Sequence, residues 1–187
     1  MALTLVTPPA ADPVSVLDIK SHLKIDGALE DPMLLRYLQG ALGNLEGRDG
    51  WLNRAFISQT WDWTLDGFPC GAALRVDLAP LRSVTFIQYL DTNGVGQVLS
   101  PTAYSIDTKS EPGWIAPAYG TTFPSAMPVF NSVTIRFVCG YGDGPSSVPA
   151  PIRLALLGMV GDVYEHRVTE GVIPGWVFNY LASFKVY

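Results

Sequence analysis

The sequence predicts an α+β protein: a helical core built from both ends of the chain, with an antiparallel β lobe inserted between them. Three observations carry this expectation. Between Val14 and Leu45 apolar residues recur at helical spacing; from Ile57 to Phe137 they alternate with polar ones; after Pro151 the helical spacing returns. Strands bracketed by helices segregate into α and β layers rather than alternating as βαβ units. The expected boundaries are 1–56 for an N-terminal helical segment, 57–144 for the β lobe and 145–187 for C-terminal helices packed on the N-terminal ones, all in one compact subunit.

The first helix opens at Ser15, which can cap it, with Asp18 at the capping-box position and Val14 and Ile19 spaced as a hydrophobic staple. Val16, Ile19 and Leu23 then share a face. A second helix is expected at Asp31-Pro32, an acidic cap followed by proline at the first helical position, with Leu34, Leu38, Ala41, Leu42 and Leu45 as its buried stripe. Gly40, Gly43 and Gly47 interrupt it, each costing about 1 kcal/mol relative to alanine. Either this helix frays after Leu38, the favoured reading, or the glycines admit a close backbone approach.

In the lobe, Trp61, Trp63 and Leu65 alternate with Thr60, Asp62 and Thr64, and Leu74, Val76 and Leu78 alternate with Arg75 and Asp77. Val84 to Leu90 is apolar on both faces, and Asp91-Thr92-Asn93-Gly94 after it is a hairpin turn needing positive φ. Tyr104 with Ile106, and Val133 with Ile135 and Phe137, complete a set of about five or six strands. Glu111 to Asn131, rich in Pro, Gly and aromatics, reads as a long ordered loop or a pair of short edge strands. Pro149-Ala150-Pro151 then launches a helix to about Arg167, apolar on nearly every side and so in need of partners on more than one face. A breaker at Thr169–Gly175 precedes a last helix in which Trp176, Tyr180, Phe184 and Tyr187 recur at intervals of four, four and three.

Nearly half of the 187 residues are apolar, ample for a core, and the net charge is −5. That balance gives no electrostatic basis for tight, sequence-independent binding to nucleic acid or anionic lipid. The N-terminus lacks the pattern of a signal peptide, and no apolar run is long enough to span a bilayer, so synthesis in the cytoplasm is expected. Cys139 closes an alternating strand as a small buried residue, so a disulfide with Cys70 is not expected.

Catalytic and metal chemistry find little support. His22 and His166 belong to no ligand pattern, and His166 suits the last turn of a helix. Asp62, Asp66, Asp162 and Glu165 fall on polar faces, no Gly-x-Ser-x-Gly elbow is present, and Gly140–Gly144 lacks the lysine of a phosphate loop. No enzyme activity, metal or cofactor is expected. The strongest interaction candidate is the aromatic stripe near the C-terminus, for which packing on the chain's own core is an equal alternative.

Several segments, taken in order, resemble the head-tail connector, or adaptor, proteins of tailed phages and related prophages. They include Pro13–Asp26, Glu30-Asp31, Ala55–Trp61, Asp66-Gly67-Phe68-Pro69, Pro80–Val84, Tyr89-Leu90-Asp91 and Pro101–Tyr104. Further on come Arg136–Gly142, Val148–Ile152 and Tyr164–Arg167. The chain departs from that pattern in the glycines of the second helix and in ending on Ser183-Phe184-Lys185 where a Pro-Tyr-Arg-like ending is usual.

The resemblance implies a structural protein of the virion neck, assembled in the host cytoplasm. It would form a cyclic ring of about a dozen copies beneath the portal and extend the channel for double-stranded DNA without sequence-specific binding. On this reading Trp176, Phe178, Tyr180, Leu181, Phe184 and Tyr187 dock on the portal, and truncation after Gly175 leaves a folded chain that no longer joins it. Phe86, Tyr89, Trp114, Tyr119 and Phe123 meet a neighbouring subunit or the tail-side neck protein. A head-closure ring is the nearest alternative. A ligand-binding β module, such as one for carbohydrate, through Trp114, Tyr119 and Phe123 is the alternative from another class.

Overall fold

The computed structural model describes residues 2–71, 73–166 and 173–187. The chain divides into two compact units, Ala10–Ile57 with Tyr141–Tyr187, and Met1–Pro9 with Ser58–Gly140. The first is helical and the second is β; the mixed α+β class is as expected.

The helical unit contains α1 (Val16–Leu23), α2 (Asp31–Leu45), α3 (Ala150–His166) and α4 (Gly175–Tyr180), followed by a 3₁₀ turn at Ala182–Phe184. The start of α1 is the expected capping box. Ser15 Oγ accepts from the Asp18 amide at 3.1 Å, Asp18 Oδ2 accepts from the Ser15 amide at 2.9 Å, and Val14 and Ile19 are buried beside it.

The α2 start differs from expectation. Glu30, already helical in backbone, precedes the helix without a side-chain cap, because its carboxylate accepts from the Tyr164 hydroxyl at 2.8 Å. Asp31 is the first helical residue and pairs with Lys20 Nζ at 3.0 Å. Nor does α2 fray: it runs through Gly40 and Gly43 to Leu45, and nothing lies within 4 Å of where their Cβ atoms would be. Neither fraying nor close approach therefore explains these glycines. Burial of Leu34, Leu38, Leu42 and Leu45 outweighs a propensity penalty of about 1 kcal/mol per glycine. The glycines the backbone does require follow the helix: Gly47 adopts φ +86°, and at Gly50 a Cβ would sit 2.2 Å from the Glu46 carbonyl oxygen.

The apolar α3 finds its several partners within its own unit, packing on α1, α2 and α4 with Ile152, Ala155, Leu156, Met159 and Val160 buried. Only Leu154 among its larger apolar residues is exposed. Arg167 and the Thr169–Val172 part of the expected breaker lie outside the described residues.

The β unit contains β1 (Ala2–Thr7), β2 (Gln59–Leu65), β3 (Leu74–Val76), β4 (Leu81–Leu90), β5 (Gly96–Val98), β6 (Tyr104–Asp107), β7 (Gly113–Pro117) and β8 (Val133–Cys139). They form a five-stranded sheet in the order β1-β2-β8-β4-β5 and a three-stranded sheet in the order β3-β7-β6, with every pairing antiparallel. Two strands differ from expectation. The chain's first residues were read with the helical segment, yet β1 pairs with β2; only Leu3 and Leu5 mark its alternation, too few positions to set a period. The Glu111–Asn131 stretch supplies β7, which is central rather than an edge: Ile115 is buried, and Gly113 lies so near Leu81 that a Cβ would come within 2.5 Å of the Leu81 Cβ.

In the larger sheet, cross-strand rows Trp61/Phe137/Val84, Trp63/Ile135/Ile87 and Leu65/Val133/Tyr89 share one face. The opposite face carries Asp62, Arg136 and Phe86 in one row. The β4–β5 hairpin turns as predicted at Asp91–Gly94, with Gly94 at φ +78° and Asp91 Oδ1 accepting from the Asn93 and Val95 amides.

Candidate interaction surfaces

The C-terminal aromatics do not form one helical stripe. α4 ends at Tyr180, and the following residues turn back toward Leu52–Arg54. There the Val186 amide donates to the Leu52 carbonyl at 3.1 Å, Asn53 Nδ2 donates to the Val186 carbonyl at 2.8 Å, and Arg54 Nε donates to the Phe184 carbonyl. Arg54 is itself buried, with its guanidinium over the Tyr141 ring.

This path sorts the predicted docking residues into two sets. Leu181 is fully buried, Phe184 packs against the helical core, and Phe178 meets Trp51 edge-on at 5.0 Å. Trp176, Tyr180 and Tyr187 stay exposed, at 46%, 46% and 80%. Val177 and Val186, which the spacing did not single out, are buried. Truncation after Gly175 removes the buried Val177, Leu181 and Val186, so the shortened chain is now expected to lose core packing rather than stay folded.

The exposed set has a defined setting. The Trp176 ring lies on Gly158 of α3, where a Cβ would be 2.7 Å from Trp176 Cη2, and its centroid is 6.3 Å from that of Tyr180. Trp176 also walls a cleft of about 450 Å³ that is lined by His22, Lys24, Gly161, Asp162 and Glu165. Lys185 Nζ stands 4.9 Å above Trp51 and 5.1 Å above Tyr187, placing a cation between two aromatic faces. Gly158, Trp51 and Lys185 were invisible to spacing arguments, because the partners in these contacts are distant in sequence or fall on no common period.

In the β unit, Phe86 lies beneath the Arg136 guanidinium at 4.8 Å, and Arg136 forms a bidentate pair with Asp62 at 2.7 and 2.8 Å. The Asp62 hydrogen bonds raise the Arg136 pKa above its ordinary value. Tyr89 meets Phe68 edge-on and Phe123 stacks on Phe68 at 4.8 Å, so Tyr89 and Phe123 are held in one cluster. Trp114 sits on β7 opposite Arg75, partly exposed, and Tyr119 is fully exposed in the loop beyond. The structure thus gathers Tyr89 and Phe123 around Phe68, while Phe86 belongs to the opposite face of the sheet.

The remaining candidates take structural roles. His166 pairs with Asp162 at 3.1 Å in the last turn of α3. Cys70 is exposed, whereas Cys139 is buried with its thiol donating to the Gln59 carbonyl, and no disulfide joins the two. Among the described residues no group of three His, Cys, Asp or Glu side chains could hold a metal ion, and no helix is long and apolar enough to cross a membrane.

No protein-family model and no curated protein matches the chain. Solved structures do. A chain in "Neck of empty GTA particle computed with C6 symmetry" superposes with a TM-score of 0.82 at 25% identity, covering 100% of this chain and 96% of that one. A chain in "Virion of native gene transfer agent (GTA) particle" gives 0.80 at 23% identity, and one in "Neck of native GTA particle computed with C12 symmetry" gives 0.77 at 24%, each with the same coverage. The first likeness, over the whole length of the chain, supports a structural protein of a particle neck; the other two show the same fold.

Proposed function

We propose that this protein is an adaptor: a structural protein that forms a ring at the portal and carries the DNA channel toward the tail. The observation that carries this reading is the whole-chain likeness to a chain in the neck of a gene transfer agent particle, necks of which were reconstructed with C6 and C12 symmetry, the symmetries of rings. The ordered connector-like segments of the sequence point the same way. A net charge of −5 suits a channel through which DNA slides without being gripped.

In this reading Trp176, Tyr180 and Tyr187 form the portal-docking face, supported from behind by Phe178, Leu181 and Phe184. Rigid aromatics near a chain end, with Lys185 among them, are the side chains that anchor an interface. The Phe68–Tyr89–Phe123 cluster, Trp114 and Tyr119 meet the adjoining subunit or the tail-side neck protein. Phe123 is engaged by Phe68, which disfavours the carbohydrate-binding alternative: that reading needs Phe123 open beside Trp114 and Tyr119.

The test is co-purification with the portal followed by imaging. An adaptor gives a ring directly on the portal, and the triple variant Trp176→Ala, Tyr180→Ala, Tyr187→Ala stays folded but leaves the portal bare. Binding only to the tail-side neck protein would assign the closure ring instead.

A further inference from the structure

The two sheets treat their edges differently. In the three-stranded sheet, edge strand β3 carries Arg75, paired with Asp77 at 2.8 Å, and edge strand β6 ends at Asp107. Charged residues on an outer strand discourage pairing with another chain. The five-stranded sheet has no such guard. Its edges are β1 and β5, and no residue from Ala2 to Ala11 or from Thr92 to Ile106 is charged, in a chain that is 16% charged. No proline interrupts either strand. Leu5, Val6, Val95 and Val98 are exposed along these edges. Depletion of charge with exposed aliphatic residues is the composition of an interface core.

The two edges also fit one another. All four pairings from β1 across to β5 are antiparallel, so β1 and β5 run in the same direction. One copy's β1 can therefore lie parallel along the next copy's β5 in a head-to-tail, ring-forming contact, whereas β1 against β1 would close a two-fold dimer. The faces match as well. Thr4 of β1 pairs with Asp62, which places it on the Asp62–Arg136–Phe86 face of the sheet. Beside β5 on that same face lies a cleft of about 420 Å³ lined by Gln88, Val98, Asn131, Ser132 and Thr134. The amides of Gln88 and Asn131 and the hydroxyl of Thr134 in this lining suit a hydroxyl-bearing strand such as the next copy's β1.

We infer that the five-stranded sheet continues from copy to copy in the assembled ring, the β1 edge of one subunit pairing with the β5 edge of the next. The inference rests on the ring reading above and adds which surfaces close the ring. The mode is strand addition, with main-chain hydrogen bonds supplying affinity and the uncharged side chains on either face supplying fit.

The test uses the full chain, alone and mixed with the portal. In a Cys70→Ser background, Thr4→Cys with Val98→Cys is treated with a short bismaleimide. The expected result is a ladder of covalent oligomers on a denaturing gel, with each single variant remaining monomeric. Thr4→Lys with Val98→Lys, both at exposed positions, is expected to keep the parent's circular dichroism and melting temperature while losing the ring. If the parent forms a ring, the cysteine pair gives no ladder and the lysine pair still assembles, the edge pairing is overturned while the ring reading stands. If the parent forms no ring under either condition, both fall together.

Discussion

At the scale of single residues, Gly158 connects helix packing to the proposed docking face. Alanine there gains about 1 kcal/mol in helix propensity but puts a methyl group 2.7 Å from the Trp176 ring. Because that ring is the outer end of an exposed side chain, Gly158→Ala is expected to leave thermal stability within about 1 kcal/mol of the parent, shift tryptophan fluorescence and weaken portal binding. Unchanged portal affinity with a displaced Trp176 would remove that ring from the docking face. Ser15 gives a second prediction. Hydrogen bonds from Ser15, the side-chain bond first, hold the Asp18 carboxyl below its ordinary value. A carboxyl whose folded-state pKa lies below its unfolded one stabilises the fold fully above the unfolded value. It loses that contribution as pH falls through the folded one. Ser15→Ala is therefore expected to cost about 0.5–2 kcal/mol at neutral pH, measured by urea unfolding, with the gap to the parent narrowing as pH drops below the ordinary aspartate value. A gap independent of pH would mean the cap acts without the Asp18 charge. Ser15 and Asp18 were legible in the sequence because caps are local chemistry. Glu30 was not, because its partner Tyr164 lies at the far end of the chain.

Among the elements, α4 and the turn after it show where periodicity stops informing. The spacing of Trp176, Tyr180, Phe184 and Tyr187 suggested one continuous stripe, but the helix ends at Tyr180 and the chain folds back to Asn53 and Arg54. Those contacts are long-range, so no local pattern carries them. The division into core and surface is testable: Leu181→Ala is expected to destabilise by about 2–5 kcal/mol, as for a fully buried leucine, whereas Tyr187→Ala stays near the parent. Comparable losses for the two, measured by chemical unfolding, would contradict this sorting. In the β unit the strands with clear alternation, β2, β3 and β8, were readable, and β4 was readable from its run of apolar residues. β1 offered too few alternating positions, and the prolines and aromatics of the Glu111–Asn131 stretch concealed the central β7. The continuity of α2 through Gly40 and Gly43 was also beyond local reading, since packing of its leucine stripe overrides propensity.

For the whole molecule, the α+β class and the return of the helical pattern after the lobe followed from the change of period alone. The neck role did not, because an assembly protein carries no catalytic constellation to find; it was legible only as an ordered set of connector-like segments. The central claim is that this chain is a ring-forming adaptor, and the most direct measurement is its mass by light scattering, alone and mixed with the portal, with imaging of any complex. The expected result is a ring of about a dozen copies seated coaxially on the portal. A monomer that ignores the portal across the same concentrations would contradict it.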